Sequence, residues 1–508
     1  MVLTHAGNLR ATLAGLVDRF SYTALPADPA SPQPSSSTLP THILLKRLHD
    51  AVRSRFVRLL LFTALALCIL GGIFYRNGPV QPSPVPNEDF IAAVLRSPVE
   101  GLLDPEPIQY MCAASKLQDG LVWHCDTVVG GIGNVGNMWL NCMRYAIEAG
   151  ATAVILPRLG ARATDLINLG SSDNSVDLSE LFDVDYFLHA WARVCPQMHA
   201  YASEADFASQ LKAASRHELL SSHLAQPAAV AQFEMHKYLL VNPTGWRAAF
   251  DGWLAEQVDV AAMSAATPVR VRQGMVLAQW NREAAINLVN GTAFGTAFPR
   301  LFQFPAATRR LAAVSLWHLA EALQRPVVAD SVLHSEPELT NHLTSGRILG
   351  NAYMGVHMRV AADAAKVGWP GYEVQAPFFI AEAVRRNLST VYLATGSDEH
   401  RSMFRHDAAA AGLTVFTKGD LLAGSDLMTL QKMTWDQQAL VDFDVLMHSS
   451  FCYGFVRSSF SWALALRRGT LPEAGPSQVT PELGDEYRDE LSAVVGRHEN
   501  INPEGMWP

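Results

Sequence analysis

Between Tyr353 and Leu466 the chain alternates short apolar runs with amphipathic ones, and this rhythm restricts the fold more than any other feature. Tyr353–Val356, Val391–Ala394, Thr414–Thr417 and Phe451–Val456 read as strands. Phe378–Asn387, Glu399–Ala411, Gln438–Met447 and Phe460–Leu466 read as the helices that follow them. Strands joined through helices return in the same direction, so the expected product is an α/β fold with a parallel sheet covered on both faces. The rhythm also opens the folded body. Leu121–Val129 is β-prone, and a helix from Val135 sets Met138, Cys142, Ala146 and Ala149 on one face before Gly150 stops it. Ala153–Leu156 follows as a second strand, completing the strand–glycine loop–helix–strand start of a Rossmann-like unit.

The 508 residues are 49% hydrophobic, enough for two or three domains with real cores. A net charge of -9 excludes a nucleic-acid binder, which needs excess Lys and Arg along phosphates. Leu59–Tyr75 is an uncharged apolar run of 17 residues, flanked upstream by Arg53, Arg55 and Arg58 and downstream by Arg76 alone. Its length suits one membrane span, and the charge bias keeps the N-terminus cytosolic. Residues 20–41, rich in Pro, Ser, Ala and Thr, read as disordered, and prolines from Pro79 to Pro86 make a stiff spacer. This is a type II layout: tail 1–58, span 59–75, stem 76–104, then a lumenal body. Asn290-Gly-Thr and Asn387-Leu-Ser are glycosylation patterns compatible with it. The six cysteines form no CxxC, which argues against zinc. Five remain outside the span, so at least one is unpaired within the chain, and Cys112–Cys125 is the expected bridge.

Three short polar motifs stand at predicted strand ends. Gly130-Gly-Ile-Gly-Asn134 follows the first strand, His357-Met-Arg359 ends a later one with Asp363 beyond it, and Arg457-Ser-Ser-Phe460 opens a helix. The glycines permit close backbone approach to a ligand, or equally close helix–sheet packing. Gly131, Gly133 and Gly136 also spell GxGxxG, but the next strand ends in Pro157-Arg158 instead of a ribose-binding acid. A nicotinamide reading would need Arg158 to meet a 2′-phosphate. Arg359 can bind a phosphate bidentately, or simply pair with Asp363. Ser458 and Ser459 suit an anion site at a helix N-terminus, and equally suit ordinary capping. Asp183 and Asp185 read as surface acids rather than an acid–base pair. Residues 200–345 read as mostly helical, and Arg309 and Arg310 precede a helix over Leu311–Ala320. A last helix is expected from Thr480-Pro481, with Leu483, Tyr487, Leu491 and Val494 on its apolar face and Gly496 at its end.

In order, spacing and context over roughly residues 125–470, these motifs resemble the GDP-fucose O-fucosyltransferase-like glycosyltransferases, the fungal branch in particular. The matching residues also include Arg144–Gly150, Leu181–Asp185, Cys195–Met198 and Ala439–Asp442. The resemblance implies a GT-B fold, two Rossmann-like domains facing a cleft, assigned here to 105–340 and 341–475 with a C-terminal helix and tail at 476–508. It implies inverting, metal-independent transfer of a sugar, fucose from GDP-fucose, to a hydroxyl of a protein or glycan, without a cofactor. It assigns Arg359 and Asn134 to catalysis: Arg359 to the diphosphate and leaving group, Asn134 to the donor and acceptor. Gly131 and Gly133 would approach the substrate. His357 would sit against the nucleoside, Asp363 would order the Arg359 loop, and Asp442 would receive guanine N–H groups. Ser458, Ser459 and Phe460 would line the phosphate and nucleoside side. With the span, the implied location is the Golgi or endoplasmic reticulum membrane. Val360-Ala-Ala362 departs from the polar residues expected between Arg359 and Asp363, and no general base is evident. The competing expectation is a tethered nucleotide-sugar or glycan-binding protein on the same scaffold.

Overall fold

The parallel pairing that the sequence rhythm demands occurs twice. A computed structural model of the chain describes residues 86–160, 175–211, 219–220, 235–236, 239–240, 245–273, 279–280, 291–334, 344–366, 368–469, 477–480, 484–497 and 506–507. All lie in one compact unit, Ser83–Pro508. The expected span at 59–75 and the glycosylation pattern at Asn290 lie outside the described residues. Among those residues no helix is long and apolar enough to cross a membrane. The stem, expected to run to residue 104, gives way earlier to helix α1 (Glu88–Arg96). Asn87 caps it by accepting from the Asp89 and Phe90 amides, and Ile91 and Ala93 are buried.

The first sheet contains β1 (Leu121–Cys125), β2 (Ala153–Ile155), β3 (His199–Tyr201), β4 (Leu219–Leu220) and β5 (Val269–Gln273). Its order is β3-β2-β1-β5-β4, with every pairing parallel. Strand β5 corrects the helical reading of 200–345. Its Val-Arg-Val-Arg-Gln alternation buries Val271 and Gln273, while Arg270 and Arg272 pair with Glu204 and Asp126. Five residues with two arginines give too short a period to be legible. Between β1 and β2 runs α2 (Ile132–Ala149), ended by Gly150 at φ 71°. The longer helices α3 (Val184–Val194) and α4 (Ala306–Leu323) also belong to this half, with Trp246–Gln257 and shorter helices besides. Asp183 caps α3 by accepting from the Tyr186 amide, which accounts for one of the two acids noted there.

The expected Cys112–Cys125 bridge does not form. Helix α2 crosses back over β1 and brings Cys142 to Cys125, while the helix Glu106–Ala114 packs on α3 and brings Cys112 to Cys195. Cys452 is buried and unbridged, the odd cysteine the count demands.

The second sheet contains β6 (Met354–His357), β7 (Thr390–Ala394), β8 (Thr414–Phe416), β9 (Phe451–Phe455), β10 (Ser477–Thr480), β11 (Gly484–Arg488) and β12 (Ser492–Gly496). Its order is β8-β7-β6-β9-β12-β11-β10. The first five are parallel, and β11 and β10 add as an antiparallel edge. The intervening helices include α5 (Ala362–Lys366), α6 (Tyr372–Arg385), α7 (Asp398–Ala410), α8 (Lys418–Leu421), α9 (Trp435–Met447) and α10 (Ser459–Arg468), with a further helix at Gly424–Lys432.

The expected C-terminal helix is therefore replaced by strands, and the expected domain limit at 475 falls inside a sheet. Tyr487 and Val494, placed on one helical face by spacing, are instead cross-strand partners. Ser492–Gly496 is wholly buried between β9 and β11, a setting that favours β-branched Val494 and Val495 as strand. Gly484 and Gly496, at φ 88° and 135°, use backbone conformations open to glycine. Ionic contacts hold the new edge: Arg488 donates to Glu486 and to Glu382 of α6, and Tyr453 of β9 donates to Glu486.

Separate clusters hold other strand residues of each sheet, while the largest core cluster is shared by both. A chain of rings links them, from Trp139 of α2 through Phe302, Phe182, Phe304 and Phe443 to Phe460 of α10. Arg468, fully buried, fixes the far end of α10. It donates to the carbonyls of Leu446, Met447 and Ser449 at the end of α9 and to Leu491 before β12. A guanidinium there offsets the negative end of α9 and occupies its orphan carbonyls.

Candidate functional site

Strand order decides where a parallel sheet opens. In the second sheet β6 leads through α6 to β7 on one side, whereas its neighbour β9 leads through α10 to β12 on the other. Between strands whose connections diverge, the carboxyl ends leave a crevice that nothing covers. His357 is the last residue of β6 with Arg359 two beyond, and Arg457 stands two beyond the end of β9. Both motifs therefore flank one crevice. Alternation had put Arg359 on the strand with His357; the strand stops at His357 and Arg359 lies in the loop that follows.

The glycine loop closes this crevice from the opposite side. The cleft, about 950 Å³, is lined by Gly130, Gly131, Asn134 and Asn137 from the first half. From the second half come His357, Arg359, Asp442, Ser458, Ser459 and Phe460. Asn134 is exposed there, with Gly130 (φ 93°) packed beneath its amide. Gly133 is corrected from a ligand contact to a packing contact. A Cβ on it would lie 2.4 Å from the Ser459 carbonyl carbon and 2.7 Å from the Phe460 nitrogen. The third glycine lets two helix N-termini, of α2 and α10, touch at the cleft.

Neither helix start is capped by a side chain: Gly131 has none, and Ser458 makes no side-chain cap bond. Their first N–H groups and positive dipole ends are left for whatever enters. Ser458 is buried, so its hydroxyl is shielded from bulk water. One turn later Ser461 secures the geometry. Its hydroxyl accepts from the Phe455 amide and lies 2.8 Å from His357 Nδ1, an approach possible because Gly454 has no side chain. His357 stacks on Phe460 with centroids 4.3 Å apart. Burial, aided by the Arg359 charge, lowers its pKa to about 3, so the imidazole is neutral at physiological pH.

Arg359 rests over the Trp435 ring at 5.3 Å, and its backbone exchanges hydrogen bonds with Gln375 on both the N–H and the carbonyl. Asp442 lines the far end of the cleft. Its two oxygens accept from Tyr392 (2.7 Å) and Lys418 (2.5 Å), so the carboxylate is held rigidly, with remaining lone pairs for a ligand. Asp363 lies in the short helix α5 rather than in a loop, and its side chain is outside what is described. Arg158, which the nicotinamide reading needed, is bound to Ser175 and Asp177. Arg309 donates to the Phe304 carbonyl and Arg310 pairs with Glu88 and Asp426, so both serve the fold.

Sequence reasoning missed Trp369, Trp435, Arg401 and Lys418, all on the cleft lining. Lys418 follows β8 and Arg401 follows β7. The available signal was positional: Lys418 lies just past the carboxyl end of a parallel strand and Arg401 in the first turn of the helix that follows another, where such sheets bind ligands. Among the described residues no group of three His, Cys, Asp or Glu is arranged to hold a metal ion.

No protein-family model matches the chain, and no curated protein matches it. Among solved structures it is similar to POFUT1 in complex with GDP, at 11% identity and a TM-score of 0.38 over 70% of this chain and 97% of that one. The complex of POFUT1 with GDP-fucose gives 12% identity and a TM-score of 0.39 over the same shares. A mutant of Arabidopsis thaliana FUT1 in complex with GDP gives 12% identity and a TM-score of 0.35 over 80% and 84%. These likenesses are distant, and the ligands named belong to those proteins.

Proposed function

We propose that the cleft binds a nucleoside diphosphate sugar and that the protein is an inverting glycosyltransferase. The observation that carries this reading is the meeting of two uncapped helix N-termini with guanidiniums at a topological switch point. Like-signed helix ends placed together repel, and a diphosphate is the kind of ligand that offsets them. The sequence resemblance makes GDP-fucose the expected donor. Asp442, anchored by Tyr392 and Lys418, suits base N–H donors, and neutral His357 with Phe460 offers an apolar surface to the nucleoside.

In the reaction an acceptor hydroxyl oxygen forms a bond to the anomeric carbon as the bond from that carbon to the diphosphate breaks. The electron pair leaves with the diphosphate, where Arg359 and the α10 N–H groups meet the growing charge. The acceptor proton passes to a base that the cleft lining does not identify. Asn134 faces the acceptor side and orients without titrating. A single span in the Golgi or endoplasmic reticulum membrane, with this body lumenal, accords with the two disulfides, which persist in oxidising compartments.

A thermal-shift panel of nucleotide sugars tests the reading, since a ligand of the folded state alone raises apparent stability. GDP-fucose and GDP should stabilise the protein. Arg359→Ala should fold and lose transfer by on the order of 10²–10³-fold. Full activity in that variant would remove the assigned site. The alternative, a tethered nucleotide-sugar or glycan-binding protein, is favoured by a first-sheet wall that offers amides where a base is wanted. GDP binding without turnover on any acceptor would select it.

A further inference from the structure

We infer that Arg457, seated on Trp369, is a second guanidinium on the donor diphosphate, opposite Arg359 on Trp435. The inference rests on the nucleotide-sugar reading above and assigns a residue to it that the family resemblance did not.

Four cations line the cleft, and two of them are joined to carboxylates on the same lining. Lys418 is joined to Asp442 at 2.5 Å and Arg401 to Asp398 at 3.0 Å, so each brings its own counter-charge. Arg457 lies instead over the Trp369 ring, 5.9 Å from its centroid; Arg359 also lies over a ring, that of Trp435, at 5.3 Å. Among the described residues no carboxylate lies within ion-pair reach of Arg457. An aromatic face holds a guanidinium in place through the ring quadrupole without consuming its charge, leaving the N–H edge for a planar, bidentate phosphate contact.

Strand geometry puts the two arginines just past neighbouring strand ends, offset by one residue in register. β6 and β9 are adjacent and parallel, with Val356 paired to Tyr453, and each arginine stands two residues past its strand. They flank the crevice from its two adjacent strands. Arg457 directly precedes Ser458, the start of α10, so its charge adds to the helix dipole at the point where the diphosphate is expected. Trp369 lies on the cleft lining and also packs on Phe455, the last residue of β9, which ties the platform to the strand that carries Arg457.

The test is isothermal titration of the full-length protein and its Arg457→Ala variant with GDP and with guanosine, at low and moderate salt. Arg457→Ala should weaken GDP by about tenfold or more, lower the salt dependence of GDP binding, and leave guanosine unchanged. Arg457→Lys should recover only part of the loss, because an ammonium lacks the fork. Trp369→Ala should reproduce a smaller GDP-selective loss. Should Arg457→Ala fold poorly, Arg457→Gln keeps the bulk and carries the same expectation. Equal GDP affinity in wild type and variant overturns the role of Arg457 while leaving the nucleotide reading intact, as does an equal loss for GDP and guanosine. If the wild type binds no nucleoside diphosphate, the inference falls together with the reading beneath it.

Discussion

Among the described residues, the first-sheet wall of the cleft carries Gly130, Gly131, Asn134 and Asn137 and no charged side chain. The second-sheet wall carries four cations, two carboxylates and the rings of Trp369 and Trp435. The first wall works through backbone position: a strand end, a glycine loop and the start of α2. The second works through side-chain charge set on strand ends. The two walls should therefore fail differently. Damage to the first should appear as lost stability and misalignment; damage to the second should appear as lost affinity in a well-folded protein.

The largest expected effect on stability comes from cutting the tie that holds the first wall. Cys125–Cys142 joins the end of β1 to α2 and closes a loop across a separation of 17 residues. Loop-closure entropy values such a bridge at about 3 kcal/mol. The Cys125→Ser/Cys142→Ser double variant should lower the denaturation free energy by about that amount in urea titration. An unchanged midpoint would mean that packing alone aligns α2.

Gly133→Ala should come next. Its Cβ would meet the Ser459 backbone, which cannot rotate away, so the two helix ends must separate. Overpacking of this kind costs about 1–3 kcal/mol. Because α10 carries Ser458 and Ser459, GDP affinity should fall with stability. Loss of stability at constant affinity would show that the contact serves the core and not the alignment of the two walls.

A pH-dependent effect separates two carboxylates on one helix. Asp442 on α9 faces the cleft and is paired with Lys418, whereas Asp444, two residues on, lines a separate, partly open pocket beside Glu100, Arg309 and Arg467. Burial, with the nearby Glu100 charge, raises the Asp444 pKa to about 7. A folded pKa raised above the ordinary 3.8 of an aspartate means the folded state keeps a proton that the unfolded chain releases. That contribution to stability is full below pH 3.8 and is lost as pH rises toward about 7. Relative to Asp444→Asn, the wild type should lose melting temperature as pH rises across this window. A constant difference between the two chains from pH 4 to 8 would place the Asp444 carboxyl in water.

Most of what was legible in the sequence was local. The alternation over 353–466 gave its four strands and four of its helices to within a few residues, except that α6 begins at Tyr372, six residues early, carrying Pro377 inside it; the short helices Ala362–Lys366, Lys418–Leu421 and Gly424–Lys432 were not expected. Gly150 stopped α2 where expected. The cleft residues Asn134, His357, Arg359, Asp442, Ser458, Ser459 and Phe460 were identified by motif and meet on one lining. What misled was periodicity without environment. Tyr487, Leu491 and Val494 satisfy a helical spacing, but burial on both faces beside β9 makes Ser492–Gly496 a strand. Cysteine pairing and the role of Gly133 depended on which segments cross, and short-range spacing carries no such information.

The sequence by itself determined the βα units, their parallel direction and the strand ends on which the polar motifs stand, because hydrophobic period and glycine conformation act within a few residues. Tertiary structure alone decided that β9 lies next to β6, that α2 and α10 meet end to end, and that Arg359 and Arg457 each find a tryptophan. Those are contacts between residues far apart in the chain, selected by burial of a shared core and by strand order, and neither is written in any single stretch of it.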